Sequence, residues 1–352
     1  MRLQTTAAVL LAAAVLVPDT ALAEKKSVAL PEIANGTVAP RVVYLENPRF
    51  PPFTTEGLRQ VLSAAAGLVK DHFGIKVVLP KQIDVRPIDK VFAELARRAP
   101  RWLKRKVGDF RNDRVDWNAV RKNLIKQIEK QKDPLEKQIA FARPYLSTPV
   151  QRAEVASFAR AVAATFRDRL AHWTTATLAD GHPIIGRVPG RPDLPLNEYM
   201  YWILLTRNGF PAEIILTNQL VASVEYIPTP VHTSIRGGIS GGATEYNPDS
   251  KLGSSVWVSL FPYVSDDPQI VALRRGDRYS RAQALAYAGA MLAHEMGHQL
   301  LHVGHPWSNP ACVMRPAEVL DFAAWVKKFD AAGCRLGSSA AMKPGAIRIP
   351  VW

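Results

Sequence analysis

The sequence predicts an α+β fold, with a mixed, twisted sheet packed on a long Ala-rich helix and a mainly helical insertion between the strands. Three observations predict it. Runs rich in β-branched and aromatic residues stand on both sides of the middle of the chain, and an amphipathic helical period follows the first of them. Between them lies charged, helix-period sequence broken by prolines. The 352 residues are 47% apolar and 22% charged, enough to bury a sizeable core and far from the composition of a disordered, fibrous or coiled-coil chain. At about 150 residues per domain the length fits two domains or one large decorated one.

The first 23 residues read as a targeting signal. Arg2 supplies the positive start, Ala7 to Val17 is an unbroken run of Ala, Val and Leu, and Ala21-Leu22-Ala23 gives a small-x-small cleavage pattern before Glu24. That run is too short to span a bilayer, which takes about 20 residues, and no later run qualifies. The expectation is a mature chain from Glu24, periplasmic or secreted, without a transmembrane span. Export gives meaning to Cys312 and Cys334, the only two cysteines. An oxidising compartment favours a disulfide between them over a pair of metal-binding thiolates, for which a CxxC spacing is missing.

The elements follow in order. Arg41-Val42-Val43-Tyr44-Leu45 reads as a strand. Thr54 to His72 carries Leu58, Val61, Leu62, Ala65, Leu68 and Val69 at helical spacing, with a Thr start and Gly74 as its stop. Residues 75–79 resume as strand. From Arg86 to Trp173 the texture is amphipathic and charged, with 21 Lys/Arg against 10 Asp/Glu, and Asp133-Pro134 and Arg143-Pro144 divide it into at least three helices. Residues 175–195 read as a returning loop. Strands are expected again at 213–217 and 255–260. The Gly-rich stretch 235–246 between them suits an edge strand or a mobile loop, and Gly237 to Gly242 read as a flexible segment. Ser280 to Val303 is a long helix, and 316–330 reads as a second one with Pro316 at its first position. The predicted organisation is a signal at 1–23, a main domain from 24–85 and 196–352, and a basic helical insertion at 86–195.

The basic insertion and the net charge of +14 suit an acidic protein or an envelope polymer, or simply solvated helix faces. Nucleic acid fits poorly, because no recognition motif accompanies the charge in an exported chain. Trp102, Trp117 and Trp173 are expected to pack those helices.

Chemistry is concentrated in His294-Glu295-Met296-Gly297-His298-Gln299-Leu300-Leu301-His302-Val303-Gly304-His305, which holds four of the eight histidines. His294 and His298 lie four apart on a predicted helix, about 6 Å along its axis, where two imidazoles can converge on one zinc ion. Glu295 is placed to take a proton from water activated at the metal. A catalytic zinc needs a third protein ligand and an open position. His302 is about 12 Å from His294 along a continuous helix, too far to share the ion. His305 follows Gly304, which can take the left-handed conformation that turns the chain back. Glu318, at the start of the next predicted helix, is the other candidate.

This segment resembles the active site of the metzincin zinc metalloproteases, whose HExxHxxGxxH motif is followed by a methionine turn. Ala311-Cys312-Val313-Met314-Arg315-Pro316 resembles that turn, and His305-Pro306 resembles the third histidine and proline of the serralysin-like branch. The resemblance implies a zincin catalytic domain holding zinc on His294, His298 and His305, with Glu295 as general base and Met314 as a structural floor. The chain departs from the pattern in having Leu301 at the family's glycine and its third histidine one residue late, and it lacks the tyrosine that follows the turn in some branches. The archaemetzincins also place a cysteine two residues before the methionine, but carry further paired cysteines for a second zinc, which are missing here. The strand and helix order around the motif follows that of a metzincin upper subdomain.

The expectation is an exported zinc metallopeptidase acting on a polypeptide. Two alternatives stay open: a gluzincin-like site with Glu318 as third ligand, and a non-catalytic binding protein on a protease scaffold that uses its basic insertion.

Overall fold

Strand sequences that are apolar at every position are covered on both faces, and three such runs, Val42-Val43-Tyr44-Leu45, Ile214-Ile215-Leu216 and Val256-Trp257-Val258, form the centre of the fold. The computed structural model describes residues 26–98, 115–222, 230–334 and 347–349; the predicted signal segment and Trp102 lie outside them. In chain order the elements begin with β1 (Lys26–Ser27), β2 (Thr37–Val38), β3 (Val42–Glu46), α1 (Thr55–Phe73), β4 (Lys76–Val77) and β5 (Asp84–Pro87). Four helices follow, α2 (Ile88–Arg98), α3 (Trp117–Glu129), α4 (Leu135–Ala142) and α5 (Val155–Thr175). Then come β6 (Arg187–Val188), β7 (Arg191–Pro195), α6 (Tyr199–Arg207), β8 (Ile214–Thr217) and α7 (Val231–Ile235). The last part holds β9 (Gly242–Tyr246), β10 (Ser254–Ser259), α8 (Phe261–Val264), α9 (Pro268–Leu273), α10 (Arg281–Leu301), α11 (Phe322–Val326) and β11 (Arg348–Ile349).

The fold is mixed α/β around a five-stranded mixed sheet of order β5-β3-β8-β10-β9, in which the first four strands are parallel and β9 runs antiparallel at the edge. Alternation sorts the side chains. Val42, Tyr44, Ile214, Leu216, Val256 and Val258 share one core with α1 and α10. Val43, Leu45, Ile215 and Trp257 face the other way, against Phe92 of α2 and Trp202 and Leu205 of α6.

Local chemistry sets the helix ends. Thr54 accepts a hydrogen bond from the Gly57 amide at 3.0 Å, and Gly74 closes α1 in the left-handed conformation. Ser280 and Gln283 form a reciprocal capping box that starts α10. Gln299 of α10 then donates from Nε2 to the carbonyls of Glu213 (3.1 Å) and Ser254 (2.9 Å), fixing the helix against the sheet.

Several expectations need correction. The strand expected over 75–79 narrows to β4, which pairs with β2 outside the main sheet. The edge neighbour of β3 is β5, which spans the boundary expected at 85/86. Its Asp84 and Arg86 pair with each other at the exposed edge, where charge is tolerated. Within 86–195, α2 covers the back of the sheet, and α3, α4 and α5 contribute Val120, Leu124, Ile139, Phe158 and Phe166 to the core of α1 and α10. Pro134 does precede a new helix, and Arg143-Pro144 lies in a 3-10 turn. Trp117 packs edge-on against Phe166 at 5.7 Å, and Trp173 is fully buried.

The helix expected over 316–330 shrinks to α11, because Val319 takes a positive φ of 52° and interrupts the run that Pro316 was to start. The Gly-rich 235–246 stretch resolves into a turn at Gly237 and Gly238, a fully buried Ile239 and the edge strand β9, so it is packed where a flexible segment was expected. A disulfide joins Cys312 to Cys334, with Cα atoms 4.4 Å apart. Among the described residues no helix is long and apolar enough to cross a membrane.

Candidate metal centre

The fourfold spacing of His294 and His298 puts both imidazoles on one face of α10, with ring centres 4.8 Å apart. The helix ends at Leu301, and His302 takes the left-handed cap conformation at φ 51°, a role expected of Gly304. The reversal two residues earlier brings His305 back over the helix end, its ring stacked on His294 at 5.1 Å. His302 is turned inward, fully buried, and neither ring nitrogen finds a hydrogen-bond partner among the described residues.

Backbone carbonyls orient two of the three rings. The Nδ1 of His294 bonds to the Val313 carbonyl at 2.9 Å, and the Nδ1 of His298 bonds to the Val303 carbonyl at 2.6 Å. A carbonyl only accepts, so both Nδ1 atoms carry the proton and both Nε2 atoms present lone pairs. The lone pairs of His294 and His298 face each other, with Nε2 atoms 3.2 Å apart, and His305 Nε2 lies 3.0 Å from His298 Nε2. Two bare acceptors at that distance repel unless a cation stands between them. Nitrogens about 2.05 Å from one tetrahedral zinc are about 3.3 Å apart, so the three imidazoles fit that ion.

The three ligand candidates run from buried His294 through half-buried His298 to exposed His305, which leaves one side of the cluster open to solvent. Burial, reinforced by the charges of His298 and His305, holds His294 well below the ordinary imidazole range, so it stays neutral and able to ligate. Trp307 packs edge-on against His305 at 5.6 Å while remaining 61% exposed.

Glu295 is buried beside the cluster, and its Oε2 accepts a hydrogen bond from Thr244 at 2.8 Å. Burial pushes its carboxyl up to about 7, against the lowering effect of that bond and with the nearby Glu245 adding to the rise. Met314 is fully buried under α10, its sulfur occupying the space a Cβ at Gly297 would need. Glu318 is elsewhere: its carboxylate accepts from Arg315 at 2.7 Å, and it is not grouped with the three histidines. Cys312 and Cys334 group with His72, separately from the three histidines.

Two participants escaped the sequence reading. Gly297 was legible as a small residue inside the motif, but only the packed sulfur explains it. Thr244 has no local signal, since it reaches Glu295 from a strand 51 positions earlier. No protein family, curated protein or solved structure matches the chain.

Proposed function

We propose that the chain is an exported zinc-dependent peptidase with a metzincin-like catalytic domain. The observation that carries this reading is the convergence of three imidazole Nε2 atoms, at separations of 3.0 and 3.2 Å about His298. The HExxH helix, the methionine beneath it and the antiparallel edge strand beside it support the same reading. When bound, zinc would supply Lewis acidity, polarising a carbonyl and acidifying a water.

The chain's own residues do the rest. His294, His298 and His305 hold the ion, and Val313 and Val303 fix the first two rings through their outer nitrogens. Glu295, adjacent in sequence to His294 and buried, takes a proton from the attacking water and returns it to the leaving amine. The edge strand β9 offers main-chain groups with which an extended polypeptide can pair. Exposed Lys122, Lys126 and Lys130, four apart along α3 and its cap, give an acidic protein or envelope polymer a place to bind. The disulfide suits a periplasmic or extracellular location.

Hydrolysis of fluorescein-labelled casein tests the reading. Glu295→Ala with its zinc retained should lose about a hundredfold or more in rate. Undiminished hydrolysis by that variant would remove the mechanism.

A further inference from the structure

We propose that Thr244 is a positioning residue for Glu295: its hydroxyl holds one carboxylate oxygen so that the other is presented to water. The proposal rests on the peptidase reading of this site. Strand alternation sets it up. Ala243 and Glu245 of β9 face away from α10, Ala243 packing with the α2 and α6 core and Glu245 pairing with Arg207 of α6 at 3.1 Å. Gly242 and Thr244 face α10. A Cβ at Gly242 would lie 2.9 Å from the Trp257 carbonyl and 3.2 Å from Cγ of Glu295. Glycine there lets the strand lie directly against the helix at the base.

Two residues further on, the Thr244 hydroxyl stands 2.8 Å from Glu295 Oε2 and 2.8 Å from the Glu295 carbonyl. It has one proton to give. The carbonyl lies inside α10, where helical geometry supplies an amide donor four residues on. The carboxylate has no other donor among the described residues. A charged acceptor also makes the stronger bond, so the proton goes to Oε2. Threonine suits the task because its branched Cβ restricts χ1 and fixes the direction of the hydroxyl. With Oε2 anchored, Oε1 is the oxygen left to receive a proton.

The test uses the full chain loaded with zinc, as wild type, Thr244→Val, Thr244→Ser, Glu295→Leu and the Thr244→Val/Glu295→Leu double variant. Fluorescein-labelled casein reports kcat and KM, and circular dichroism reports Tm. Thr244→Val should keep its zinc and its KM but lose about tenfold or more in kcat, and Thr244→Ser should recover most of that loss. Thr244→Val should lower Tm by roughly 4 °C when Glu295 is present and by under about 1 °C in the Glu295→Leu background. A kcat matching wild type in Thr244→Val, or equal Tm shifts in the two backgrounds, would overturn the proposal. If wild type does not turn over casein, the peptidase reading fails on its own account. The pair of Tm shifts then still decides whether Thr244 holds Glu295.

Discussion

The Nδ1 of His294 hydrogen-bonds the carbonyl oxygen of Val313 at 2.9 Å, tying an imidazole of the candidate metal centre to the turn that follows it in the chain. Val313 is flanked by Cys312, which the disulfide anchors to Cys334, and by Met314, which lies under the helix. The orientation of this ring therefore depends on a turn held at both sides of the carbonyl.

Opening that link should be felt at the site. The disulfide spans a separation of 22 residues, a loop whose closure is worth about 3 kcal/mol in the unfolded chain. Cys312→Ser/Cys334→Ser should lose stability of that order in urea unfolding. Because Val313 orients one of the proposed ligands, zinc affinity measured by chelator competition should fall about tenfold. Unchanged affinity would mean that the turn holds the Val313 carbonyl in place without the disulfide.

Gly297 faces the Met314 sulfur and the Phe73 ring, whose nearest atom lies 2.8 Å from where a Cβ would stand. Gly297→Ala should therefore destabilise by about 1–3 kcal/mol through overpacking, despite alanine's better helix propensity. Combining it with Met314→Ala should recover part of the loss, as thermal unfolding of the two variants would show.

How much of this was legible in the sequence depends on the range of the interaction. His294, Glu295 and His298 were readable because helical spacing alone puts them together. Thr54 and Gly74 were readable as the start and stop of one helix, and Ser280 as the start of another. The return to His305 was harder, because the left-handed residue is His302 and not the glycine that propensity points to. Val319, β-branched and at positive φ, is what keeps the second predicted helix from starting at Pro316, and no sequence rule anticipates it. The charged strand β5 looked like the start of a helical insertion because an edge strand need not be apolar. Thr244 and Gln299 act only through tertiary contacts, so their roles emerged with the fold.

Acid should weaken the sheet at Glu213. Burial works to raise this carboxyl, but hydrogen bonds from the Arg41 side chain and amide and from the Lys251 amide, with the Arg41 charge, hold it below its usual 4.5. A carboxyl depressed in the folded state contributes stability above its unfolded pKa and loses it as pH falls through the folded value. Urea midpoints should therefore drop as pH goes from about 5 towards 3, and Glu213→Gln should flatten that part of the profile. An unchanged slope would show that Arg41 and Glu213 do not carry the acid sensitivity.

His302 separates a ligand from a neighbour. It is buried, its nitrogens find no partner among the described residues, and it stands outside the three-histidine group. His302→Asn, which tolerates the left-handed conformation, should keep its zinc while shifting Tm, as metal analysis alongside thermal unfolding would establish. Zinc loss in a folded His302→Asn sample would bring this residue into the ligand set.

The most direct measurement is zinc per chain in purified wild type, His305→Ala and Glu318→Ala, each confirmed folded by circular dichroism. The account predicts about one zinc in wild type and in Glu318→Ala, and loss of tight binding in His305→Ala. Zinc retained without His305 and lost without Glu318, or a folded wild type that binds none, would contradict it.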